Sequence, residues 1–198
     1  MARVYLRRRR IKMPNSQNGW PVIKEQSSKD LVVIRIPGTG TPGIPLRVQK
    51  DCAPLLAYVA SRVHKDVSDL RKNNKPGVTQ DDGGYNYRKI DGSNNFSNHA
   101  SGTAIDLNWK LFPMFKRRMT KKQREAALAI EQELSEVIRW GGSFSLSRVD
   151  EMHWEIQPNV SKADIKAFLK KAGIGKDGTI KTNQTKSVAM CLVPDRRK

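Results

Sequence analysis

Thr103-Ala104-Ile105-Asp106-Leu107 sets Ile105 and Leu107 two apart around Asp106, and Met152-His153-Trp154-Glu155-Ile156 alternates apolar and polar side chains. Successive side chains on a strand point to opposite faces. The first stretch therefore sends Ile105 and Leu107 into a core and leaves Ala104 and Asp106 on the other face. The second points Met152, Trp154 and Ile156 at the core and turns His153 and Glu155 to the face that holds Asp106. Paired antiparallel, the two strands bring Asp106 next to His153. The small Ala104 leaves room beside them.

Working outward, Leu31-Val32-Val33-Ile34-Arg35-Ile36 is rich in β-branched residues and reads as a strand. It ends in the turn-forming run 37–43. Leu46 to Val48 is a short strand. Asp51 is placed to cap a helix over 52–65, whose apolar side is Leu55, Leu56, Val59 and Val63. A second helix is expected from Thr120 to about Arg139. Thr120 is its N-cap and Trp140-Gly141-Gly142 its stop. Ser161-Lys162-Ala163-Asp164 resembles a capping box opening a short helix that ends at Gly173. These elements predict an α+β fold, a small antiparallel sheet flanked by helices. The expected organisation is a basic N-terminal arm over 1–29, one domain over 30–158, and a basic C-terminal helix and tail over 159–198.

The length of 198 residues suits a single domain. Only 37% of residues are hydrophobic, which suits one modest core with polar extensions. Lys and Arg number 37 against 19 Asp and Glu, a net charge of +18. Charge of this size speaks to partners rather than to fold. It fits nucleic acid, an anionic cell wall or an acidic protein surface. Cys52 and Cys191 suggest no disulfide framework, and Cys52 reads as a buried small hydrophobe. His64 lies beside the apolar stripe of its helix and reads as a satisfied histidine rather than a ligand. No stretch approaches the ~20 apolar residues of a membrane span. The basic block Arg7 to Arg10 lacks the apolar run of a secretory signal, so synthesis in the cytoplasm is expected.

Chemistry concentrates in two places, Ser97 to Asp106 and Asp150 to Glu155. Gly102 permits a tight bend that returns His99 towards Asp106. His99, Asp106 and His153 then offer two nitrogens and a carboxylate. Three protein ligands with a fourth position for water are what a catalytic zinc site needs. Asp150, on a loop before the second strand, is placed as the base that works on that water. Glu155 shares the face of His153 and can orient a ligand. Two histidines and an aspartate can also meet by chance, so spacing alone leaves metal binding open.

The ordered pattern Ser-x-His-x-x-Gly-x-Ala-x-Asp, then Trp-Gly-Gly, then Asp-x-Met-His-Trp-Glu, resembles the D-alanyl-D-alanine carboxypeptidase family of zinc peptidases. That family includes VanY-like carboxypeptidases and the L-alanyl-D-glutamate endopeptidases of bacteriophage endolysins. The resemblance runs from about Gly84 to Gln157. It implies Zn2+ as cofactor, His99, Asp106 and His153 as its ligands, and Asp150 as the catalytic acid/base. Many members have Glu at that last position, while the phage enzymes often share the Asp. Within Gly84-Tyr85-Asn86-Tyr87-Arg88, Arg88 corresponds to the family arginine that steadies an oxyanion or binds a substrate carboxylate. Ser97 corresponds to a serine that hydrogen-bonds substrate. The implied partner is bacterial peptidoglycan, with the basic extensions holding anionic cell-wall polymers.

The resemblance thus implies an endolysin that reaches the wall on release at lysis. One rival is a virion component, bound to phage tail proteins, that breaches the wall at entry. The other is a nucleic-acid binder, for which no helix-turn-helix, zinc-finger or RNA-binding signature is present.

Overall fold

In the computed structural model, residues 14–73 and 80–180 are described. Strands β1 (Leu31–Arg35) and β2 (Pro45–Gln49) form an antiparallel hairpin. Helix α1 (Ala53–Arg62) follows and continues into a π-helical turn at Val63–Val67. Strand β3 (Asp82–Gly83) and strand β4 (Ala104–Leu107) come next, then helix α2 (Lys121–Glu133). Strands β5 (Ile138–Trp140) and β6 (His153–Ile156) and helix α3 (Lys162–Ala172) complete the chain order. A four-stranded antiparallel sheet is ordered β3-β4-β6-β5. The architecture is α+β, as the sequence predicts.

The expected α1 stripe is buried, and Ala57, Tyr58 and Ala60 are buried as well. A helix covered nearly all round is a central one, and α1 packs against β1, β2, β4 and α3. On the sheet, Ile105, Leu107, Trp154 and Ile156 face the core as the alternation requires. The Trp140 and Trp154 rings stack at 5.7 Å. Cys52 is fully buried, and Cys191 lies outside the described residues. The ring of His64 meets Asp69, the Leu70 amide and the Gly38 carbonyl, so it is satisfied locally.

Two helix boundaries differ from expectation. Asp51 does not cap α1. The Gln49 side chain accepts the Cys52 amide instead, while Asp51 is held by Gln49 and Lys162. Helix α2 opens at Thr120 with a full capping box to Gln123, but it stops at Glu133. Residues 138–140 form β5, with Ile138 opposite Ile156 and Trp140 opposite Trp154. The apolar-polar-apolar order of Ile138-Arg139-Trp140 suits a strand, and pairing with β6 overrides helical propensity there. Trp140-Gly141-Gly142 is therefore the end of a strand, not a helix stop. At Gly141 a Cβ would stand 2.4 Å from the Asp150 carbonyl oxygen. The residue is glycine because another backbone lies against it.

Of the segment expected as an N-terminal arm, residues 14–29 pack on the domain. Trp20 and Val22 are buried there. Residues 1–13 lie outside the described residues. At the other end, α3 has the expected capping box at Ser161 and Asp164. It buries Ile165, Phe168 and Ala172 in the shared core. Residues 181–198 lie outside the described residues.

Candidate metal centre

The site stands on the pair of central strands, β4 and β6. Their register places Asp106 opposite His153 and Ala104 opposite Glu155. His99 arrives on a 3-10 turn, Asn98–Ser101, which Ser97 caps by accepting the His99 amide. The turn ends at Gly102, whose φ of 69° is left-handed. A Cβ there would also meet the Gln49 amide nitrogen at 2.7 Å. The anticipated bend is present, and it swings His99 over β4.

His99 Nε2 lies 3.3 Å from His153 Nδ1 and 3.2 Å from Asp106 Oδ2. His153 Nδ1 lies 2.8 Å from Asp106 Oδ1. Zinc bonds of about 2.0–2.1 Å imply ~3.3–3.4 Å between neighbouring ligand atoms of a tetrahedron. The two separations from His99 are close to that spacing, the His153–Asp106 pair at 2.8 Å is shorter, and the donor set of two imidazoles and a carboxylate suits zinc.

Each ring is oriented by its other nitrogen. His99 Nδ1 donates to the Gly84 carbonyl at 2.6 Å, which turns Nε2 towards Asp106. His153 Nε2 donates to Glu155 Oε2 at 2.9 Å, which turns Nδ1 inward. Such partners fix tautomer and ring angle in metal sites. Burial opposes charge on His153, but its hydrogen bonds to Asp106 and Glu155 dominate and raise its pKa to about 10. Burial also disfavours the charged forms of both carboxylates, and their partners again outweigh it. Asp106 is held well below the usual carboxylate range by the charges and hydrogen bonds of His99 and His153. Glu155 is lowered to about 2 by His153, Arg139 and Asn98. The centre is already charge-organised around its donors.

Asp150 behaves differently. Its amide donates to the Gly141 carbonyl at 3.0 Å and its carbonyl accepts the His153 amide at 3.2 Å. The side chain is buried, and Oδ1 has no hydrogen-bond partner among the described residues. Burial raises its pKa to about 6, with the negative charge of Asp106 adding to that and His153, His99 and Arg88 opposing it. A buried carboxylate oxygen without a partner is costly, and here it lies within electrostatic reach of His99, Asp106 and His153. Arg88 is exposed, yet its charge reaches Asp150. Its carbonyl accepts the Ser97 amide at 3.2 Å, and Tyr87 beside it packs on Phe96.

Sequence reading missed three contributors. Asn98 is buried, and its Nδ2 donates to Glu155 Oε2 at 2.5 Å while its Oδ1 accepts the Asn18 amide at 2.8 Å. Arg139 lies opposite Glu155 across β5 and β6 and binds Oε1 through Nε at 2.9 Å and also through Nη2. The Gly84 carbonyl is the third. Only Arg139 had a sequence signal, the alternation of Ile138-Arg139-Trp140.

Residues 91–156, a third of the chain, match the family model described as D-alanyl-D-alanine carboxypeptidase. The matched span holds His99, Asp106, Asp150, His153 and Glu155. Gly84 and Arg88 lie just before it. No curated protein and no solved structure matches the chain. No helix among the described residues is long and apolar enough to cross a membrane.

Proposed function

We propose that the protein is a zinc-dependent peptidase that hydrolyses an amide bond in the stem peptide of bacterial peptidoglycan, working as a phage endolysin. The scissile bond is of the L-Ala–D-Glu or D-Ala–D-Ala type. The observation that carries this reading is the convergence of His99 Nε2, Asp106 and His153 Nδ1 within 4.8 Å, beside a buried carboxylate with a free oxygen. The family match supports the peptidase class. The aspartate at position 150, shared with the phage enzymes that the sequence resembles, supports the endolysin setting.

His99, Asp106 and His153 would hold the metal, and Gly84 and Glu155 keep the two rings in place. Zinc, when bound, supplies a Lewis acid that polarises a carbonyl and makes water acidic enough to attack near neutral pH. Asp150 Oδ1 takes a proton from the attacking water and delivers it to the leaving amine. A pKa near 6 suits both halves of that task, since base and acid forms are then each within reach at neutral pH. Arg88 offers a guanidinium to a substrate carboxylate or to the developing oxyanion.

The test is mass spectrometry of muropeptides released from purified cell walls, with and without a chelator. Cleavage at one amide of the stem peptide, abolished by chelation and restored by zinc, is the expected result. Release that persists in chelator removes zinc from the reading. Asp150→Ala should keep the metal and lose activity.

A further inference from the structure

The loop between β4 and α2 is anchored by buried Phe112 and Met119 but presents Leu111, Met114 and Phe115 to solvent. Scattered exposed apolar residues need no explanation. These three share one short loop, and Phe115 is 61% exposed. Phe115 also has a φ of 65°. An aromatic residue is strained in the left-handed region, and such strain collects at functional positions.

The loop is fastened on both sides of Asp150. The Phe115 amide donates to the Val149 carbonyl at 2.7 Å. The amides of Arg118 and Met119 donate to Glu151 Oε2 at 2.6 and 2.7 Å, and Arg117 lies 3.8 Å from Glu151 Oε1. The apolar tip is thus continuous with the candidate catalytic turn. Lys116 and Arg118 are exposed on the same loop, and Arg148 is exposed just before Val149.

We propose that this loop is the substrate-contact wall of the site. It is selective for an acidic peptide with small apolar side chains. Phe115, Met114 and Leu111 cover the methyl groups of such a peptide, and Lys116 and Arg118 meet its carboxylates. The inference rests on the peptidase reading above, because a stem peptide of alanine and D-glutamate has this chemistry. Glu151 is a positioning residue that ties the wall to Asp150.

The test uses the full-length protein and Phe115→Gly, with Met114→Ser in the same chain. Glycine takes positive φ freely, so loss of the ring comes without loss of the fold. Two probes are compared, glycan-free stem peptide released from walls and intact purified walls. KM for the free peptide should rise about five- to tenfold with kcat within about twofold, the mark of lost binding rather than lost chemistry. The melting temperature should hold or rise. An unchanged KM for the free peptide overturns the proposal. So does a defect confined to intact walls, which would assign the loop to the glycan. If the parent protein cleaves neither probe, the peptidase reading fails on its own, and calorimetric titration with the free peptide decides the wall. Binding that the double substitution weakens about five- to tenfold upholds it, and absent or unaffected binding overturns it.

Discussion

Glu155→Gln is the sharpest perturbation of this centre, because it preserves shape and removes only charge and acceptor capacity. In the parent, Oε1 accepts Nε and Nη2 of Arg139, and Oε2 accepts Asn98 and His153. A glutamine must turn its NH2 towards one of these pairs. Facing Arg139, it sets donor against a cationic donor. Facing His153, it donates to Nε2 and drives the imidazole proton onto Nδ1, the atom that must present a lone pair to the metal. Asn98 cannot flip to help, since its Oδ1 is held by the Asn18 amide. Partners of this kind are worth about 10–100-fold in metal affinity, or roughly 1.4–2.8 kcal/mol at 1.4 kcal/mol per tenfold.

The metal-free protein should respond as well. Glu155 is almost wholly buried, and its pKa falls from 4.5 to about 2 on folding. At about 1.36 kcal/mol per unit, that shift is worth on the order of 3 kcal/mol. A depressed carboxylate stabilises the fold above its unfolded pKa, so this contribution is present above 4.5 and is lost as pH falls through about 2. Zinc titration calorimetry and urea unfolding in chelator read the two effects separately. If Glu155→Gln binds zinc within about threefold of the parent, the orienting role of Glu155 is refuted.

Asp150→Asn should retain metal affinity within a few-fold while turnover falls on the order of 10²–10⁴-fold. In the parent, kcat/KM should climb with pH through about 6, because the carboxylate must be ionised to accept a proton. A flat profile from pH 5 to 7 would dismiss Asp150 as the base. Trp154→Ala removes a fully buried ring that stacks on Trp140, and it should cost about 3–5 kcal/mol in urea unfolding. Zinc affinity should fall too, since His153 and Glu155 flank Trp154 on the strand. A loss under about 1 kcal/mol would contradict the packing described.

Alternation made β4 and β6 legible, because one buried face forces a period of two. The same pattern placed Asp106 and His153 on one face, and the left-handed glycine at 102 accounted for the return of His99. Helix α3 was readable from its capping box and Gly173. The end of α2 was not. Leu134, Val137 and Ile138 continue a helical spacing, and only the partner strand turns Ile138 and Trp140 into β5. Nor was the start of α1, which has no side-chain cap and where Gln49 folds back from β2 to accept the Cys52 amide.

The candidate metal donors belong to the sequence in this sense: each is placed by local rules of period and turn, and strand pairing then has one register that buries the apolar face. The network around them belongs to the tertiary structure. Asn18, Asn98, Arg139 and Glu155 come from four separate segments, and no local pattern relates them. Their role arises because a buried charge must find every partner it needs, and partners distant in sequence meet only once the core has closed.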